Sequence, residues 1–260
     1  MTAIKTGERM VPELYRSEAD YILYLRHLIA YQAAAALLNP SDAVLDLGCG
    51  AGYGTRLLSN HARQVTGVDV SADAVAAATA AYRSMACDFQ TYDGTRLPFA
   101  DGQFDAATSF QTIEHVKDDG HFVAEAARVL KPGAPFVLTT PNRATRLREG
   151  QPPWNRFHVR EYSSAQLAAV LSKSFSEVEV QGVRASDRIE RVERARVASA
   201  QRLVALDPLG LRHVAGPVMA ILARLRPAPA VGSWPHSVAD FYATAADRDA
   251  GCDLLAICRR

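Results

Sequence analysis

No stretch of this 260-residue sequence approaches the uninterrupted apolar run of about 18 residues that a membrane-crossing helix needs, so no membrane span is expected. The opening MTAIKTGERMVPELYR lacks the apolar centre of a secretory signal. Cysteine is scarce: Cys49, Cys87, Cys252 and Cys258 complete the set, no pair has CxxC spacing, and no histidine cluster accompanies them to make a zinc site. These absences point to a reduced protein of the cytoplasm. An excess of charge of one sign is missing as well. The formal net charge is +1, which offers no global attraction to nucleic acid or to an anionic membrane.

What is present is alternation. Short apolar runs (AVLDLG, QVTGVDV, DFQTYD, FDAATSF, PFVLTTP, FSEVEVQGV) are separated by segments with helical spacing, such as ADAVAAATAAY after the capping Ser71. Ser163 followed by Gln166 makes a capping-box pattern before another helix. This rhythm predicts an α/β protein, a doubly wound and mostly parallel seven-stranded sheet whose last strand is the C-terminal DLLAICRR. Residues 1–40 read as an N-terminal helical cap, 41–183 as the core, 184–250 as a helical insertion or lid, and 251–260 as the last strand. The stretch 184–230 carries nine arginines against four acidic residues; it reads as a lid, an acceptor site, a dimer surface or a plain solvated appendage. A homodimer is the commonest assembly for a soluble protein of this kind.

The stretch DLGCGAGYG, Asp46 to Gly54, places four glycines between a strand and a helix. No lysine follows them, so a phosphate-cradling P-loop fails. No frame satisfies GxGxxG either, since the last position falls on Tyr53, Thr55 or Leu57. What remains is a tight turn and Asp69, 19 positions after Gly50 at the end of the next strand, where a carboxylate can accept both hydroxyls of a ribose. A nucleoside without a pyrophosphate points to S-adenosylmethionine (SAM).

From these residues a resemblance follows. VLDLGCGAGYG is similar to the first motif of class I SAM-dependent methyltransferases, and VTGVDVS to their second. YDGTRLPFADGQFD, SFQTIEHV and EAARVLKPGAPFVLTTPN resemble the later ones in order, covering residues 44–142. The resemblance implies that Gly48, Cys49 and Gly50 lie against the methionine part of SAM, with Asp46 near its amine. Gly52 would allow close approach, Asp69 would take the ribose, Val70 would pack on adenine, Asp93 and Gly94 would lie at the adenine edge, and Phe110 and Gln111 would line the far side. TGERMVPE and FHVREYSSAQLAAVL resemble segments of bacterial glycan O-methyltransferases. The Ala- and Arg-rich composition suits a high-GC actinobacterium, and among proteins of such organisms the chain resembles the mycobacterial methylmannose-polysaccharide O-methyltransferases.

For a hydroxyl acceptor the enzyme needs a base, and histidine suits that task near neutral pH. His115, after the fourth strand, and His158, after the fifth, fall at the ligand end of the sheet, with Glu114 beside the first. Glu114, Asp118 and Asp119 could hold a divalent cation such as magnesium, or could simply be an exposed helix start. The leading expectation is an O-methyltransferase acting on a sugar, glycoside or oligosaccharide. A small aromatic, quinone or lipid acceptor is the alternative, and a SAM-binding interaction protein without turnover the third reading. Nucleic-acid methylation is disfavoured, because SFQT stands where an NPPY-type motif would and the protein is nearly neutral.

Overall fold

The computed structural model describes residues 17–206 and 234–260. TGERMVPE, GPVMAILARL, His213 and most of the Pro-rich loop lie outside the described residues. Eight strands form one sheet: β1 (Ala43–Leu47), β2 (Gln64–Asp69), β3 (Cys87–Thr91), β4 (Ala106–Phe110), β5 (Pro135–Pro141), β6 (Glu177–Ala185), β7 (Phe241–Thr244) and β8 (Asp253–Arg259). Their order is β3-β2-β1-β4-β5-β8-β6-β7. The helices are α1 (Glu18–Ala35), α2 (Tyr53–Leu58), α3 (Ala72–Tyr82), α4 (Asp119–Val129), α5 (Arg143–Arg146), α6 (Ser164–Leu171) and α7 (Asp187–Leu206).

The expected seven-stranded sheet is corrected to a mixed sheet of eight. β8 runs antiparallel between β5 and β6, and the added β7 pairs antiparallel with the outer edge of β6 from Gly182 to Ala185. β7 leaves little trace in sequence, because only Phe241 of its four residues is buried and so no alternating pattern develops. It also means that the segment before the last strand is not wholly helical. β6 continues to Ala185, past the expected start of that segment.

Side-chain alternation along the strands divides the core between the two faces. Leu45, Phe136 and Leu138 join Phe122, Val123 and Leu167 of α4 and α6 on one side. Val44 and Val137 join Ile22, Leu25 and Ile189 of α1 and α7 on the other. Full burial of each such side chain contributes roughly 1.5–3 kcal/mol. The capping box is present: Ser163 accepts from the Gln166 amide, and the Gln166 side chain accepts from the Ser163 amide.

One charged group breaks the apolar face of α1. Arg26 is buried and binds Asp253 at the start of β8, with Glu193 of α7 at 3.1 Å. A buried guanidinium is tolerated only with such partners. It ties α1, β8 and α7 together above the ends of the strands. The strand order reverses direction between β1 and β4, where adjacent connections leave on opposite faces and open a crevice at the carboxyl ends.

Candidate active site

The glycine loop sits at that crevice. The amides of Gly48 and Cys49 both donate to the Val68 carbonyl, at 2.8 and 2.9 Å, which pins the loop to β2. Gly48 has φ +84, and a side chain there would collide with Thr112. Gly50 has φ +53, but a side chain there would meet nothing within 4 Å. The first glycine is therefore required by protein packing, and the second presents bare backbone to open space, where a ligand can approach. At Gly52 the close neighbours are Ala78 and Phe89, so the close approach there is to protein.

The Asp69 carboxylate borders this space. It accepts from the Gly50 amide at 3.0 Å and the Ser71 amide at 2.9 Å, which fixes its position. Val70, beside it at the end of β2, is 60% exposed and presents an apolar side chain to this space. Gly94 lies next to Val70, and Asp93 folds back to accept from the Thr95 and Arg96 amides. Cys49 is buried and its thiol is held neutral, first by burial and then by Asp46. Phe110 packs edge-on against Tyr31. Gln111 has φ +52, the only positive value among described non-glycine residues, and such backbone strain gathers at functional sites.

Asp46 lies beneath the loop, enclosed rather than open to the crevice. It accepts from Thr55 Oγ1 at 2.7 Å, Thr108 Oγ1 at 2.9 Å and Tyr31 Oη at 3.5 Å. Burial pushes its carboxyl up to about 6, although these three hydroxyls favour the charged form. The folded state thus holds the proton more tightly than the unfolded chain does. The resulting stabilisation is present below the ordinary carboxylate value near 4 and is lost as pH rises through about 6. Asp46→Asn is expected to remove that loss. In denaturant titrations the variant should gain on the wild type by an amount on the order of 1–3 kcal/mol between about pH 4 and about pH 7.

A second group of residues stands past the ends of β4 and β5. A short 3-10 turn, Ile113–His115, directs Glu114 inward, where it is buried and accepts from Thr140 Oγ1 at 3.1 Å. Its other oxygen, Oε1, has no hydrogen-bond partner among the described residues, and burial pushes the carboxyl up to about 7. The loop carrying His158 is tied to this turn, since the Val159 amide donates to the Glu114 carbonyl at 2.8 Å. The two imidazole rings meet edge to face with centroids 4.9 Å apart. His115 Nδ1 lies 3.0 Å from the Phe157 carbonyl, and His158 Nδ1 lies 2.9 Å from Glu161 Oε1. A carbonyl and a carboxylate accept, so in both rings Nδ1 carries a proton. Glu161 is itself gripped by Arg146, through Nε at 2.9 Å and Nη2 at 3.0 Å, and the Arg146 guanidinium rests on the Trp154 ring. Burial opposes the Glu161 charge, but His158 and Arg146 outweigh it and hold the carboxyl below its usual range.

The structure thus brings together Glu114, His115 and His158 and separates them from the two aspartates. Asp118 caps α4 through the His121 amide, and Asp119 is taken by Tyr162 and Arg160. Asp118 and Asp119 thus match the helix-start alternative, whereas Glu114 is buried away from them. One ligand atom each from Glu114, His115 and His158 lies within 4.8 Å of the others, and these three could hold a divalent cation. His27 pairs with Tyr53, His121 with the Thr95 carbonyl and His236 with Glu18, all outside this group. Glu161 and Arg146 join this candidate group through His158, and sequence reasoning missed both. The His158-x-x-Glu161 spacing was the available signal for the first.

The methyltransferase domain family matches residues 45–138, a stretch that holds the glycine loop, Asp69, Glu114 and His115 and ends before His158. A probable S-adenosylmethionine-dependent methyltransferase of Mycobacterium tuberculosis is 33% identical over 98% of this chain and 89% of its own length. The chain belongs to the SAM-dependent methyltransferases. A probable methyltransferase of the same kind from Mycolicibacterium smegmatis is 40% identical over 67% of this chain, which spans 65% of that relative's length. Among solved structures, a SAM-dependent methyltransferase from Thermotoga maritima superposes with a TM-score of 0.58 at 17% identity, covering 92% of this chain and 91% of that one. The cyclase SpnF superposes with a TM-score of 0.59 at 23% identity, covering 95% and 84%. A cyclase on the same scaffold is a reminder that fold alone does not decide the reaction. SAM is the cofactor of this methyltransferase. The open backbone at Gly50, the fixed carboxylate of Asp69 and the exposed Val70 fit a nucleoside with no phosphate to bind. Among the described residues no helix is long and apolar enough to cross a membrane.

Proposed function

We propose that this methyltransferase moves the methyl group of SAM onto a hydroxyl of a sugar or glycoside, with His158 as the general base. The observation that carries the reading is the His158–Glu161–Arg146 chain of contacts, each between 2.9 and 3.0 Å. Glu161 fixes the tautomer that leaves Nε2 as the proton acceptor, and Arg146 keeps Glu161 charged and in place. SAM supplies an electrophilic methyl on a sulfonium. The chain's share is to seat the donor at Asp69, Val70 and the backbone of Gly48 to Gly50, with Asp93, Gly94, Phe110 and Gln111 around it. Asp46 supports that loop from below. The acceptor oxygen forms its bond to the methyl carbon as the carbon–sulfur bond breaks, and the hydroxyl proton passes to His158. In-line alignment supplies much of the rate, and the base adds about 10²–10⁴-fold. His115 and Glu114 complete the polar wall beside the base. The glycan reading rests on the similarity of FHVREYSSAQLAAVL, which contains both His158 and Glu161, to glycan methyltransferase segments.

A small aromatic acceptor is the second reading. It is favoured by shorter matches, such as the 32% identity over half of this chain to a 2-methyl-6-phytyl-1,4-hydroquinone methyltransferase of Synechocystis. A screen with labelled SAM against glycosides of mannose and glucose and against hydroquinones separates the two. Transfer to the glycosides is expected, with no effect of a metal chelator. Transfer confined to hydroquinones would replace the acceptor. Activity lost on chelation and restored by magnesium would make His158 a metal ligand instead of the base.

A further inference from the structure

Arg146, the last residue of α5, is buried and gives Nε and Nη2 to the two oxygens of Glu161. The same Glu161 Oε1 accepts from His158 Nδ1. Two parallel hydrogen bonds set the direction of a guanidinium fork, but its plane can still tilt about them. Here the plane is held from its face. The Trp154 ring lies against the guanidinium, 4.7 Å from its centroid to Arg146 Cζ. Tryptophan is the strongest ring for such a cation–π contact, and burial of the cation strengthens it.

The hold matters because close packing does not supply it. Arg146 borders a cavity of about 410 Å³, far larger than the gaps of a close-packed interior, and Glu193 of α7 lines the same cavity. The Arg146 backbone is tethered, since Gln201 Nε2 donates to its carbonyl at 2.6 Å, so the freedom lies in the side chain. That side chain has room to leave Glu161 and a second carboxylate to move toward. Trp154 is also well placed to act on His158. The two residues lie at the ends of one turn, in which Asn155 Oδ1 accepts from the Phe157 amide at 3.0 Å and the Asn155 carbonyl from the His158 amide at 3.1 Å. One end of the turn sets its ring on Arg146, and the other sets its imidazole on Glu161.

We propose that Trp154 is a positioning residue for His158, its ring fixing the plane of Arg146 and so the carboxylate that orients the imidazole. The effect on rate rests on the hydroxyl-transfer reading, but the first test needs no turnover. In the full-length protein carrying ¹⁵N-labelled histidine, the His158 Nδ1 proton is expected as a downfield resonance, identified by its loss in His158→Ala. Its exchange with water should be about 2–30-fold faster in Trp154→Leu and in a second ringless variant, Trp154→Met. Trp154→Phe keeps a ring and should stay near the wild-type rate. With a glycoside acceptor, kcat should fall by a similar factor in the ringless variants while the affinity for SAM is unchanged. In a Glu161→Gln background the same replacements should change kcat by less than about twofold, because their route to His158 is already cut. Thermal unfolding reports whether each variant is folded. A wild-type exchange rate in a folded ringless variant, or a loss of kcat just as large in the Glu161→Gln background, would overturn the assignment. Faster exchange in the ringless variants, with kcat unchanged both in them and in His158→Ala, would support the hold of Trp154 on His158 and count against the base reading alone.

Discussion

Replacing His158 with alanine is expected to lower kcat by about 10²–10⁴-fold while the affinity for SAM stays that of the wild type. The size follows from the task. A sugar hydroxyl is a poor nucleophile until its proton leaves, and a base held at the right place removes that cost in the transition state. The split between kcat and donor binding follows from position, because His158 is held by the loop after β5 and by Glu161, whereas the donor seat is built from the ends of β1 and β2. Glu161→Gln should give a smaller fall in kcat, since an amide oxygen can still accept from Nδ1 but no longer pairs with the Arg146 charge. Steady-state kinetics with a glycoside acceptor and calorimetry with SAM measure the two quantities. A His158→Ala enzyme with wild-type kcat would remove His158 from the reaction.

The second large effect is expected at Asp69. A hydrogen bond to a charged acceptor contributes about 1.5–3 kcal/mol, and a ribose offers two hydroxyls to this carboxylate. Asp69→Ala should therefore weaken SAM binding by about 10²–10⁴-fold. Part of the loss belongs to the loop, because the Gly50 amide donates to the same carboxylate and would be released. Asp69→Asn keeps a neutral acceptor and should fall between the two. Calorimetry with SAM measures the change, and a wild-type dissociation constant in a folded Asp69→Ala protein would take the ribose away from this residue.

Much of the fold was legible because buried parallel strands leave short continuous apolar runs, and because Ser71 and Ser163 mark helix starts by chemistry that is local in sequence. The meeting of the glycine loop with Asp69 was legible for a similar reason: they lie on adjacent strands joined by one crossover, so a fixed spacing carries the geometry. β7 was not, since four residues with one buried side chain carry no period. The candidate group of Glu114, His115, His158 and Glu161 was half legible. Both histidines follow strands whose carboxyl ends share one side of the sheet, so their meeting could be anticipated. Arg146 and Glu161 are 15 positions apart, and only the path of the chain after β5 sets them against each other. Asp118 and Asp119 look like companions of Glu114 in sequence, yet the 3-10 turn sends Glu114 into the core while the helix start keeps Asp118 at its cap.

The most direct measurement uses SAM labelled with ¹³C in its methyl group, the wild-type enzyme and a hexoside, with the product examined by carbon NMR and mass spectrometry. The expected result is one added methyl whose carbon resonates as a methyl ether on the sugar, formed by the wild type and strongly reduced in His158→Ala. A methyl found on nitrogen or carbon of an acceptor, or an ether formed equally well without His158, would contradict base-assisted transfer to a hydroxyl.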